Sequence, residues 1–153
     1  MRLAGKQLVL DTNILIHVLR GQAAGRALEA IFGLQTRIPR PIIPVVVKGE
    51  TKSFAKYRKW GNAKVDALDK LLAMLPSADI SSEVVLDAYA ELDSFCTLNG
   101  NKLGKNDAWI AAIALVTGST ILTTDKDFSF LRDTKKVEIE VLEAEPLIKG
   151  VIA

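Results

Sequence analysis

Two short apolar runs that each end in an aspartate constrain this chain most. Leu8-Val9-Leu10 leads into Asp11, and Ile121-Leu122-Thr123-Thr124 leads into Asp125. A strand without polar alternation needs cover on both faces, and such strands belong to parallel sheets flanked by helices. Between and around them the apolar spacing turns helical. It predicts helices over 14–19, 23–34, 45–60, 63–75, from Ser81 or Ser82 to 98, and over 107–116. Further strands are expected at 42–43, 78–80 and 137–142, the last alternating like a sheet edge. Thr12 and Asn13, Asn62 and Asn106 are the expected helix caps, Pro44 suits a helix entry, and Gly61 and Gly118 are the expected stops. Strands alternating with helices imply an α/β fold, a three-layer sandwich around a mostly parallel central sheet. At 153 residues, with no linker-like segment, the chain is expected to form a single domain over 1–153.

Bulk charge identifies no partner, because 20 Lys and Arg against 18 Asp and Glu leave a net charge of only +2. One cysteine, Cys96, and one histidine, His17, exclude a disulfide framework and a zinc site built from soft ligands. Cys96 is expected to fill core and His17 to be structural. The start lacks the apolar run of an export signal, and no stretch is long enough to span a bilayer. A soluble, cytoplasmic protein without membrane contact is expected.

Four acids stand where a structural reading predicts something else. Asp11 and Asp125 occupy the carboxyl ends of the two buried strands, where open α/β sheets bind their ligands. An aspartate there is also a common turn or cap residue, so the pair says more than either alone. Glu50 shares a helical face with Val47, Phe54 and Tyr57, and a carboxylate on an apolar stripe needs a cation, a salt bridge or an opening to solvent. Asp107 opens an almost wholly apolar helix, where the dipole favours an anion and a plain first-turn role is the competing explanation. If the four converge they repel one another. Divalent cations would neutralise them, and oxygen-only ligands select Mg2+ or Mn2+.

Four segments together resemble the PIN-domain nucleases, and among them the VapC-type toxins of toxin–antitoxin pairs. They are LVLDTNILI at 8–16, VVVKGE ending at Glu50, GNKLGKNDAWIAAIA at 100–114 and ILTTDKDFSFL at 121–131. The resemblance implies that Asp11, Glu50, Asp107 and Asp125 are catalytic, metal-binding carboxylates. By the same likeness Asp127 is a candidate further ligand, and Asn13 and Thr124 are supporting residues. It also implies RNA as substrate, a cognate antitoxin as partner and a homodimer as a frequent assembly. Pro44 departs from the pattern, since similar proteins often carry a capping Ser there.

The helix around Glu50 also carries Lys48, Lys52, Lys56, Arg58 and Lys59 interleaved with Phe54, Tyr57 and Trp60. Basic side chains neutralise phosphates and aromatics stack on unpaired bases, so Lys52, Lys56 and Lys59 are the expected RNA contacts. A solvated charged face with aromatics turned to the core is the plainer alternative. Two other functions compete. A haloacid-dehalogenase-like phosphatase also begins with a strand ending in Asp, but usually has a second Asp where this chain has Asn13. A PIN-like domain kept for RNA or protein binding without catalysis would show the same acids.

Overall fold

The computed structural model describes residues 1–150, so the last three of the expected 1–153 domain lie outside the described residues. In chain order the strands are β1 (Leu8–Leu10), β2 (Ile43–Pro44), β3 (Ser77–Ala78), β4 (Thr120–Thr123) and β5 (Ile139–Val141). The helices are α1 (Thr12–Arg20), α2 (Ala23–Phe32), α3 (Val45–Tyr57), α4 (Asn62–Met74), α5 (Glu83–Leu98), α6 (Lys105–Thr117), α7 (Ser129–Asp133) and α8 (Ala144–Ile148). A 3-10 turn, Lys126–Phe128, precedes α7.

Every ladder is parallel: β1 pairs with β4, β4 with β5, and β2 with β3. A bridge between Val9 and Ile42 links the two ladders, with the Leu10 N–H donating to the Ile42 carbonyl at 3.2 Å and the Ile42 N–H to that of Leu8 at 2.8 Å. The spatial order is therefore β3-β2-β1-β4-β5. Residues of β1 and β4 are buried along their whole length, so both sheet faces are covered by helices, as the unbroken apolar runs require. The α/β sandwich with a parallel central sheet is thus the observed fold. From β1 the chain passes to β2 on one side and, later, β4 returns on the other. The crevice at the carboxyl ends of β1 and β4 is the topological switch point.

One hydrophobic core runs from Leu8 to Leu147 and takes in Cys96. Helix α6 is its most buried member: Ala108 and every residue from Ile110 to Ala114 are sealed, leaving only its first and last turns near solvent. Trp109, on its less buried side, stacks on Tyr89 of α5 with ring centroids 3.9 Å apart. Arg37 is only 2% exposed and, among the described residues, has no carboxylate partner. Its guanidinium donates instead to the carbonyls of Phe32 (2.9 Å), Lys6 (3.0 Å) and Leu3, tying the N-terminal segment to the end of α2.

Several boundaries differ from the sequence reading, each for a local reason. Asp11, rather than Thr12 or Asn13, caps α1, because its own carboxylate reaches the Thr12 N–H. Helix α6 begins two residues early, at Lys105, with Gly104 as its cap in place of Asn106. Helix α3 ends before Trp60. The Lys59 N–H bonds to the Lys56 carbonyl (3.0 Å) and the Trp60 N–H to that of Ala55 (2.9 Å), while Phe54 and Trp60 meet edge to face. This is a Schellman closure with Lys59 in the left-handed position that glycine usually takes, at φ 54°. Gly61 serves instead as the cap of α4. Pro44 is the cap residue of α3 and supplies no side-chain bond there, as its departure from the family pattern implies. The strand expected at 78–80 forms at Ser77–Ala78, and α8 follows β5 where no element was expected. Ser82 caps α5 as expected, accepting from the Val85 N–H.

Candidate active site

The acids come from separate elements: Asp11 from the end of β1, Glu50 from α3, Asp107 from the first turn of α6, and Asp125 and Asp127 from the turn after β4. Asp11 is the buried one, 5% exposed. One carboxylate oxygen, Oδ1, accepts from the Thr12 N–H at 2.7 Å. The other, Oδ2, accepts from the Thr123 hydroxyl at 2.6 Å, with the Asn13 side-chain amide 3.5 Å away. Burial pushes the Asp11 carboxyl up, the two hydrogen bonds pull it down, and Glu50 and Asp125 add repulsion.

Thr123 links the two strand-end acids. Its hydroxyl donates to Asp11 and accepts from the Asp125 N–H at 2.9 Å, so a single side chain spans the switch point. Thr12 does the same toward α3, donating to Glu50 Oε1 at 3.0 Å. Asn13 accepts the Thr124 N–H at 3.3 Å, so Thr124 takes part through its backbone. The Asp125 carboxylate accepts the Asp127 N–H at 2.9 Å, which turns Asp127 back toward it. The sequence offers Thr12 only as a helix cap and gives Thr123 no site role, because a threonine at a strand end or helix start is ordinary β-branched or turn composition.

Asp107, Asp125 and Asp127 form the tightest group, each offering a carboxylate oxygen within 4.8 Å of the other two. The Asp107 carboxyl is pushed up to about 7, first by burial and then by the charges of Asp11, Asp125, Glu50 and Asp127. All five acids are therefore near enough to act on one group. Among the described residues, no Lys or Arg is within ion-pairing distance of any of them. Such a cluster is short of positive charge and offers oxygen donors only, which fits a hard divalent cation. Two basic side chains, Lys102 and Lys126, line a depression of about 430 Å³ together with Asp127.

The stripe around Glu50 grades outward. Val47 is sealed, Glu50 and Phe54 are half-buried, and Tyr57 is 65% exposed. Lys52 and Lys56 lie on another face of α3, and Lys59 follows just beyond its end. With Trp60, Val65 and Leu68 they line a groove of about 320 Å³ against α4, and none of the five acids borders it.

No protein of curated function matches the sequence. Among solved structures, the fold is similar to the VapBC2 complex of Rickettsia felis bound to a DNA fragment from its promoter, with a TM-score of 0.70 at 23% identity over 88% of this chain and 97% of that one. It is also similar to FitAcB from Neisseria gonorrhoeae (TM-score 0.67, 22% identity, 87% and 96% covered). A third likeness is to VapBC-5 of Mycobacterium tuberculosis, a member of the VapBC family of toxin–antitoxin systems (TM-score 0.66, 23% identity, 89% and 98% covered). At these identities the likeness is one of fold. The PIN domain family itself matches residues 8–133, which include all four segments and all five acids. With a parallel sheet whose switch point gathers those acids, and a family match over most of its length, the chain belongs to the PIN domain family.

Proposed function

We propose that this protein is an endoribonuclease that hydrolyses RNA phosphodiester bonds with Mg2+ or Mn2+, and that it is the toxin of a toxin–antitoxin pair. The observation that carries the reading is the convergence of five carboxylates that have no basic partner among the described residues. Asp11, Glu50, Asp107 and Asp125 would hold the cation, with Asp127 as a further ligand. Bound there, a divalent cation lowers the pKa of a water and stabilises the charge that builds on the phosphate.

The protein's own groups set up that chemistry. Thr123 and Thr12 hold Asp11 and Glu50 in fixed rotamers, so the ligand oxygens are positioned before binding. Asn13 ties the loop after β4 to α1 through the Thr124 N–H. Asp107, driven up to about 7, holds a proton part of the time at neutral pH and must release it to become a ligand. Lys102 and Lys126 flank Asp127 and suit the phosphates on either side of the cleaved bond. An inhibitory antitoxin would have an equally direct route, since an inserted Arg pairs bidentately with carboxylates. The VapBC likenesses support such a partner, and the family resemblance makes a homodimer the assembly to look for. No helix among the described residues is long and apolar enough to cross a membrane.

The test is cleavage of labelled single-stranded RNA with Mg2+ or Mn2+, with chelator, and with Asp11→Asn, Glu50→Gln, Asp107→Asn and Asp125→Asn. Loss of most turnover in each folded variant is expected. Wild-type turnover in three of the four would overturn the site.

A further inference from the structure

The far end of the α1/α3 seam carries an arrangement that the acid cluster does not use. Thr12, at the start of α1, touches Glu50 of α3. Arg20, the last residue of α1, lies over the ring of Phe54, one turn beyond Glu50, at 5.4 Å from its centroid. The two helices therefore run away from the acids in the same sense. Arg58 covers the same Phe54 ring at 5.3 Å, and Tyr57 meets its edge at 5.2 Å while remaining 65% exposed. Among the described residues, neither arginine has a carboxylate within ion-pairing distance.

Two guanidinium groups on one ring carry like charges that repel, and among the described residues no acid pairs with either. Each sits at the C-terminal end of its helix, where the dipole favours a cation. That accounts for each charge singly, but not for their shared ring beside an open tyrosine face. An anion between or beside them would relieve the repulsion, and a planar base would cover Tyr57. Both belong to a single-stranded nucleic acid. Along α3, Phe54 lies about 6 Å and Tyr57 about 10 Å from Glu50, roughly one to two nucleotides of extended strand.

We propose that Arg20, Arg58 and Tyr57 form a subsite for the RNA segment flanking the cleaved bond, the arginines holding a phosphate and Tyr57 stacking on a base. The inference rests on the ribonuclease reading and adds to it the residues that position the strand. Phe54 anchors Arg20 and Arg58 by the guanidinium groups it holds over its ring. The subsite would favour substrates long enough to reach it, and it is separate from the lysine face of α3.

Binding of labelled single-stranded RNA is measured across a salt series in the full-length Asp107→Asn protein, so that cleavage does not intervene. A dinucleotide, whose one phosphate is the one cleaved, and an oligonucleotide of roughly 12 residues bracket the reach of the subsite. For the longer RNA, Arg20→Gln with Arg58→Gln is expected to lower the salt slope by about 0.7, the loss of one phosphate contact, and Arg→Lys at both positions to retain it. Tyr57→Leu is expected to weaken binding by roughly five-fold or more with the slope preserved. The shorter RNA should respond to neither change. In the parent sequence the double Gln variant should raise KM for the long substrate and leave kcat nearly unchanged. Unchanged slopes in variants with wild-type melting curves, or equal losses on both lengths, would overturn the subsite. So would variants that lose only a bound protein partner, since the surface would then be a protein face. Cation-dependent cleavage by the wild type is scored separately. If it fails while the slopes shift as expected, the ribonuclease reading falls and the RNA subsite stands.

Discussion

Neutralising Asp107 should make the cation-free protein more stable. Its carboxyl rises from 3.8 to about 7 on folding, so keeping it ionised in the native state opposes folding. The full rise corresponds to about 4 kcal/mol, and solvent screening of a partly open cluster reduces this to about 1–2 kcal/mol. Asp107→Asn keeps the shape and removes the repulsion. It also forfeits the first-turn attraction of α6, about 0.3–1 kcal/mol, leaving a net gain of about 1 kcal/mol. For a domain of this size that is about 2–4 °C in Tm. The sign with pH follows from the raised folded value. The contribution of the ionisable Asp107 is intact below about pH 4 and is lost as pH rises through about 7. The Tm gap should therefore widen in favour of the Asn variant between pH 5 and pH 8. Mn2+ at about 100 times its Kd should add about 2.7 kcal/mol to the wild type and less to the variant. Thermal melts of both proteins at the two pH values, with chelator and with Mn2+, decide it. A lower cation-free Tm for the Asn variant at pH 8, with an undiminished Mn2+ increment, would make Asp107 a first-turn acid and nothing more.

Thr123→Val removes the donor to buried Asp11 and the acceptor of the Asp125 N–H, and should cost about 1–3 kcal/mol and most of the cleavage activity. Thr124→Val should leave stability nearly unchanged, because Thr124 contributes its backbone; melts and turnover of the pair separate the two threonines. Lys59→Gly relaxes a left-handed residue at the Schellman closure of α3 and should stabilise by about 0.5–1 kcal/mol, measured by denaturant unfolding. Arg37→Met leaves the carbonyls of Leu3, Lys6 and Phe32 without their donor, at a cost of about 2–4 kcal/mol. Hydrogen exchange should then show the segment before β1 losing protection first, whereas uniform loss across the fold would refute the clip.

Much of the architecture was legible in the sequence because its causes are local. Leu8-Val9-Leu10 and Ile121-Leu122 announce strands covered on both faces by having no polar alternation, and the apolar run after Asp107 can only be a buried helix. The acids were legible because each interrupts an apolar pattern where a charge is costly. Boundaries were less so, since caps depend on which side chain reaches which N–H. Asp11 takes the cap of α1 from its threonine and asparagine neighbours, and Lys59 closes α3 two residues before the glycine that sequence favours.

Other features exist only in three dimensions. The sequence places Asp11 and Asp125 far apart in the chain, and the parallel pairing of β1 with β4 is what lets one hydroxyl, that of Thr123, touch the first acid and the backbone of the second. The rise of Asp107 to about 7 is collective, arising from burial and from four carboxylates on other segments. The division of α3 into a lysine face toward α4 and an arginine-capped aromatic face toward α1 depends on which helices pack against it. Periodicity fixes which residues share a face of that helix; only packing decides what each face meets, because neighbours distant in sequence supply the other half of every contact.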